Sequence, residues 1–198
     1  MADKQTLNVY DNNVETYRKL IDELPESEPI TQFTSRLAPE ALILDLGCGI
    51  GNAAAQMRDQ GFSVVCVDGS PEMVKAANDT FSLNATKAFF SDLDVIAHFD
   101  GVWANFSLLH APKKDFPTYL KAIHTALKPG GLFFISLKIG EGEKRDKLGR
   151  FYAYYREEEL ETLLLQSGFT LEQKRRGTLR GMAGDFEDWI GVLSWREK

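Results

Sequence analysis

The chain has 198 residues, 43% of them hydrophobic and 26% charged, with a formal net charge of −6. That length suits a single domain with a sizeable core, and that composition excludes a disordered or fibrous chain. The acidic balance argues against nucleic acid as a partner. No apolar run reaches the roughly 18 residues of a membrane span, and the first residues lack a signal-peptide core, so a cytoplasmic protein without membrane contact is expected.

Residues 1–38 read as a helical N-terminal appendage. Val9, Val14, Tyr17, Leu20, Ile21 and Leu24 form an apolar stripe, interrupted by Pro25 and Pro29. From residue 41 onward, short β-branched or aromatic runs at 41–46, 62–68, 86–92, 99–106, 131–138 and 169–176 predict strands. Helical patterns lie between them at 51–60, 71–79, 115–127 and 156–167. Ser70-Pro71-Glu72 is a clean helix start, an N-cap followed by a first-turn proline, and Asp115-Phe116-Pro117 repeats it less cleanly. Residues 139–155 mix glycines, charges and aromatics, as a movable cover does. The turn-rich stretch 177–185 leads to a last strand at 188–195 with no helix before it, which predicts an antiparallel return. Strand and helix alternation of this kind predicts a doubly wound α/β domain, its sheet mostly parallel with helices on both faces.

Ligands of such sheets sit at the carboxyl ends of the strands. At the end of the first strand, ILDLGCGIG places Asp45 before Gly47, Gly49 and Gly51, where missing β-carbons admit a ligand and a close helix. A dinucleotide fingerprint would put the third glycine one residue later, and a carboxylate here repels a pyrophosphate but suits an ammonium. Cys48 and Cys66, the only cysteines, have no histidine at ligand spacing, so buried reduced thiols and no metal site are expected.

These residues, with VCVDGSPEM (65–73), SDL (91–93), FDGVWANFSLLH (99–110) and LKPGG (127–131), resemble the ordered motifs of class I S-adenosylmethionine-dependent methyltransferases. The resemblance implies a Rossmann-like sheet of seven strands, one antiparallel, with S-adenosylmethionine as cofactor and a small molecule as methyl acceptor. Asp68, about 20 residues after the first glycine, suits the ribose hydroxyls, with helix capping as the alternative. The resemblance implies that Asp92 and Leu93 meet the adenine beside Met73, a residue that equally suits the core. It also implies that Asn105 and Phe106 line the methionine end, that Asp45 reaches its ammonium, and that Tyr10 and Tyr17 close over the cofactor.

Methyl transfer from a sulfonium needs alignment and dryness more than acid catalysis. If the acceptor must lose a proton, His110 is the candidate base, with simple packing as the alternative. Lys138, Arg145, Arg150, Tyr152 and Arg180 are the candidates for holding an anionic acceptor, although such a charged run equally suits a solvated loop. Competing expectations are a nicotinamide-dependent oxidoreductase, a non-catalytic S-adenosylmethionine-binding module, and a nucleic-acid or protein methyltransferase. The acidic balance opposes the last, as does Ala104-Asn105-Phe106-Ser107 where a base-flipping motif would stand.

Overall fold

The computed structural model describes residues 3–23 and 28–197; Leu24 and Pro25 lie outside them. The Ile-Leu-rich run becomes strand β1 (Leu42–Leu46), buried along almost its whole length. It lies at the centre of a seven-stranded sheet because parallel neighbours flank it on both sides. These are β2 (Ser63–Asp68) and β4 (Phe99–Asn105). Outward from β2 comes β3 (Thr86–Lys87); outward from β4 come β5 (Leu127–Lys138), β9 (Phe186–Arg196) and β8 (Phe169–Arg180). Only β9 runs against the rest, pairing antiparallel with both β5 and β8. The expected architecture of seven strands with one antiparallel member is the one observed.

Period-2 alternation divides the core between two faces. Leu44, Leu46, Val102, Ala104, Phe133 and Ile135 pack on one face with α6 (Phe116–Ala126) and α7 (Glu157–Gln166). Ile43, Trp103, Leu132 and Phe134 pack on the other, with Phe33 of α3 (Glu28–Thr34) and Met57 of α4 (Asn52–Asp59). Trp103 stacks on Phe134 at 4.1 Å between ring centroids. No described helix is long and apolar enough to cross a membrane.

Several sequence expectations change. The run 86–92 keeps only two strand residues, because the Asp92 carboxylate accepts from the Phe89 N–H (2.9 Å) and curls Phe90–Asp92 into a 3-10 turn. Asp115 makes no side-chain cap. In contrast, the Ser70 hydroxyl accepts from the Met73 N–H (3.1 Å) at the start of α5 (Pro71–Phe81). The fifth strand begins at Leu127 rather than 131, with a register shift opposite Phe99–Gly101 absorbing Pro129 and its glycines. Residues 177–180 extend β8, so the link to β9 shrinks to a short turn.

The N-terminal appendage forms α1 (Lys4–Asp11) and α2 (Val14–Asp22), which pack Tyr10, Val14, Tyr17 and Ile21 against Ile50 and Met73. Residues 139–155 contain an antiparallel hairpin of β6 (Glu143–Arg145) and β7 (Phe151–Ala153), with Tyr152, Tyr154 and Tyr155 buried. Three contacts fasten this hairpin to α1. Arg145 pairs with Asp3 (2.7 Å), the Phe151 N–H donates to the Thr6 hydroxyl (2.8 Å), and Arg150 donates to the Tyr10 hydroxyl (3.1 Å).

Candidate active site

Strand order reverses at β1, between β2 and β4, and a cleft of about 910 Å³, open mouth included, lies at the carboxyl ends of these strands. Its floor is the glycine turn. Gly47 adopts φ +83°, and a β-carbon there would overlap that of Ser107 and come within 3.1 Å of its hydroxyl oxygen. Gly51 is also left-handed, and a β-carbon there would meet Leu83 and Ala77 of the neighbouring packing. At Gly49 a β-carbon would face the Tyr17 ring at ordinary contact distance, so its left-handed φ of +54° is the constraint there.

Asp68 joins the turn to the next helix. One carboxylate oxygen accepts from the Gly49 N–H and the other from the Ser70 N–H, each at 2.8 Å. Burial raises its pKa against the opposing effect of these N–H groups. Asp45 is buried beneath the turn, and its Oδ2 has no hydrogen-bond partner among the described residues. Burial, reinforced by the Asp68 charge, pushes its pKa up to about 8. The Asn105 Oδ1 accepts from the Ser136 hydroxyl (2.6 Å), whose oxygen accepts in turn from the Phe106 N–H (2.9 Å). Phe106 is held at φ +52°, a conformation that non-glycine residues keep only under constraint.

Tyr10 and Tyr17 roof the cleft, and Tyr10 contacts His110. His110 Nδ1 faces the Phe151 carbonyl at 2.6 Å, and a carbonyl only accepts, so Nδ1 carries the proton. Nε2 therefore accepts from the Tyr10 hydroxyl at 2.8 Å, and that hydroxyl accepts from Arg150. Burial pushes the His110 pKa down to about 3. An unfolded histidine titrates near 6.5. As pH falls through this window the unfolded chain binds a proton that folded His110 refuses, so His110 subtracts stability. Asp45 acts with opposite sign, its contribution lost as pH rises from its unfolded value through about 8. Urea titrations at pH 7 and pH 5 are expected to show a smaller acid loss for His110→Gln than for the parent chain; equal losses would exclude His110 as the source.

The sequence-predicted site residues divide into two groups. Tyr10, Tyr17, Gly47, Gly49, Asp68, Met73, Asn105, Phe106 and His110 all line the cleft. Met73 does so while also packing on Ile50 and Ala76. Asp45 and Gly51 lie behind the turn. Asp92 is exposed, its carboxylate engaged by Phe89 and Ser91, and Leu93 packs against the main core. None of the five acceptor candidates lines the cleft. Lys138 pairs with Glu187, and Arg150 is buried in a two-pronged pair with Asp146 (2.7 and 2.9 Å). Arg145 is held by Asp3, Tyr152 is buried behind His110, and Arg180 is exposed at the end of β8. Sequence reasoning missed the cleft residues Thr6, Leu7, Phe89, Phe90, Ser107 and Tyr119. Phe89 and Phe90 were visible as an apolar pair but were read as strand.

A family model described as a methyltransferase domain matches residues 43–131. Over nearly the whole chain the structure resembles the 1,6-didemethyltoxoflavin-N1-methyltransferase of Burkholderia thailandensis, solved with 1,6-didemethyltoxoflavin and S-adenosylhomocysteine bound. The two are 26% identical, with a TM-score of 0.78, covering 98% of this chain and 88% of the other. The family-model match and this structural likeness support a class I S-adenosylmethionine-dependent methyltransferase family for the chain. Curated sequence relatives of the chain include a 2-methyl-6-phytyl-1,4-hydroquinone methyltransferase from Synechocystis, 33% identical over 50% of this chain and 33% of that protein. Another is a carboxy-S-adenosyl-L-methionine synthase from Geobacter metallireducens, 30% identical over 50% of this chain and 45% of that protein. The chain spans less than two thirds of the length of the curated relatives it matches. The cleft suits S-adenosylmethionine on its own geometry. Asp45 Oδ2 is buried without a partner among the described residues, beneath a turn whose Gly47 and Gly49 line the cleft beside the Asp68 carboxylate.

Proposed function

We propose that the chain transfers a methyl group from S-adenosylmethionine to a small-molecule acceptor. The observation that carries this reading is the meeting of the Gly47–Gly51 turn with Asp68 in a cleft that also reaches Asn105, Phe106 and His110. In this reading the remaining lone pairs of Asp68 accept from the ribose, and Asp45 meets the methionine ammonium. Met73, Leu7, Ala88 and Phe89 flank the adenine, a placement that moves recognition from the Asp92 side chain to the start of the turn it caps. Asn105 and Phe106 border the methionine end, and α1 with Tyr10 and Tyr17 excludes water. S-adenosylmethionine supplies an activated methyl carbon, which the acceptor's lone pair takes as the carbon–sulfur bond breaks and its electron pair stays on a neutral thioether. His110 is a base for the acceptor's proton only after Tyr10 releases Nε2, because that lone pair is otherwise engaged.

Calorimetric titration with S-adenosylmethionine, S-adenosylhomocysteine and NAD tests the reading: binding of the first two without NAD is expected, and NAD binding alone would overturn it. The same titrations at pH 6.5 in phosphate and in Tris are expected to show release of a fraction of a proton. An ammonium beside Asp45 favours its charged form and pulls its raised pKa down. The release should vanish near pH 9.5, where the carboxyl is already ionised, and in Asp45→Asn. An unchanged release in that variant would remove the Asp45–ammonium contact.

A further inference from the structure

We infer that the acceptor is an uncharged, flat aromatic or heteroaromatic molecule carrying one hydrogen-bonding heteroatom, because the cleft beyond the cofactor residues is walled by aromatic rings and no lysine or arginine among the described residues lines it. The inference rests on the methyl-transfer reading and gives its acceptor a chemical class.

The first support is the fate of the cations. Lys138 is paired with Glu187 and lies over the Tyr152 ring at 3.7 Å. Arg145 is spent on Asp3, and Arg150 on Asp146 and the Tyr10 hydroxyl. The Arg145–Asp3 and Arg150–Tyr10 contacts hold α1 to the hairpin, so diverting either arginine to an acceptor would open the roof of the cleft. An anion entering beside Asp68 and Asp45 would be desolvated next to acidic groups, with only the cofactor's sulfonium to offset it. A cationic acceptor would have to approach a sulfonium of the same sign.

The second support is the wall itself. Beyond the turn and Asp68, the cleft is bounded by Phe90, Phe106, Pro112 and Tyr119. Phe90 and Tyr119 meet edge to face at 5.7 Å, and Phe106 is fixed by its Ser136 hydrogen bonds and by Trp189, also edge to face at 5.8 Å. Rings held in this way offer faces and edges to another ring, whose quadrupole they match, and little else.

The third support is a polar atom that points to a ligand. Ser107 lines the cleft and is only 7% exposed, and its hydroxyl oxygen, buried against the glycine turn, has no partner among the described residues. A buried hydroxyl left unpaired is destabilising, and a ligand that pairs with it relieves that cost. With the Tyr10–His110 pair nearby, the Ser107 hydroxyl supplies one small polar station in an otherwise apolar wall, enough to orient a phenol, a ring N–H or a ring carbonyl.

The test uses the full chain saturated with S-adenosylhomocysteine and three probes of similar shape: 6-hydroxyquinoline, quinoline-6-carboxylate and 2-decalol. Binding is read by calorimetry and ligand-observed NMR, and methylation of 6-hydroxyquinoline by label transfer from methyl-labelled S-adenosylmethionine. The expected result is binding of 6-hydroxyquinoline about tenfold tighter than the anion or the saturated alcohol. Tyr119→Leu and, separately, Phe90→Leu should weaken 6-hydroxyquinoline several-fold while leaving 2-decalol unchanged. Equal or tighter binding of the carboxylate or of 2-decalol overturns the inference, as does absence of 6-hydroxyquinoline binding at its solubility limit. Either result leaves the methyl-transfer reading standing as long as S-adenosylhomocysteine binds; failure of S-adenosylhomocysteine itself to bind overturns both.

Discussion

Gly47→Ala is expected to destabilise the protein by about 3 kcal/mol, the sum of left-handed strain and overpacking. Its backbone stands at φ +83°, and the added carbon would overlap that of Ser107, whose own backbone follows β4 and has little room to retreat. Gly61→Ala is the matched control, since Gly61 has a similar φ of +94° but nothing within 4 Å of the added carbon. Chemical denaturation of both variants separates the two contributions. If Gly61→Ala costs as much as Gly47→Ala, the approach to Ser107 contributes nothing and the glycine turn is constrained by dihedral angle alone. Binding of S-adenosylhomocysteine to any Gly47→Ala protein that folds should be lost, because the turn must move for Ser107 to be avoided.

Asp68→Ala is expected to act on two quantities at once. The Gly49 and Ser70 N–H groups lose their acceptor, and relief of a desolvated carboxylate offsets part of that loss, leaving a stability decrease of about 2 kcal/mol. Under the proposed cofactor placement the ribose also loses a charged acceptor, so S-adenosylhomocysteine affinity should fall by about a hundredfold. Ser70→Ala provides the comparison. It removes the N-cap of α5 at a cost of about 1 kcal/mol without touching the ribose position. If Asp68→Ala and Ser70→Ala weaken ligand binding equally, Asp68 serves the fold alone. If affinity falls far more for Asp68→Ala, the carboxylate meets the ligand.

The sheet was legible in the sequence because its strands are local. Each of LILDL, SVVCVD and FDGVWAN carries its strand composition within five to seven residues, and the absence of a helix before 188–195 announced the antiparallel return. The third strand misled because Phe89 and Phe90 have strand composition, whereas a hydrogen bond donated by the Phe89 N–H to the Asp92 carboxylate turns them towards the cleft. The glycine turn, Asp68, Asn105 and Phe106 were legible for the same reason as the strands, since each sits at a strand end. The charged residues were not. Sequence shows that Arg145 and Arg150 are cations but not that Asp3 lies 142 positions away in the chain and against Arg145, or that Asp146 accepts from the Arg150 guanidinium through one oxygen. The anionic-acceptor expectation treated these charges as available, and their partners consume them.

The three fastenings between α1 and the hairpin join residues 140 to 145 positions apart. A ribosome releasing this chain from its N-terminus therefore produces the roof helix early and its anchor late. Loop closure over such a span sets in only after the intervening sheet has formed and brought the ends together. A nascent chain that stops short of Phe151 has the glycine turn, Asp68 and the packing of Tyr10 on Ile50 and Met73, but lacks the hairpin contacts that fasten α1 over them. Synthesis thus assembles the floor of the cleft first and closes it last, and ligand capture in a series of stalled chains should rise steeply once Phe151 has left the exit tunnel.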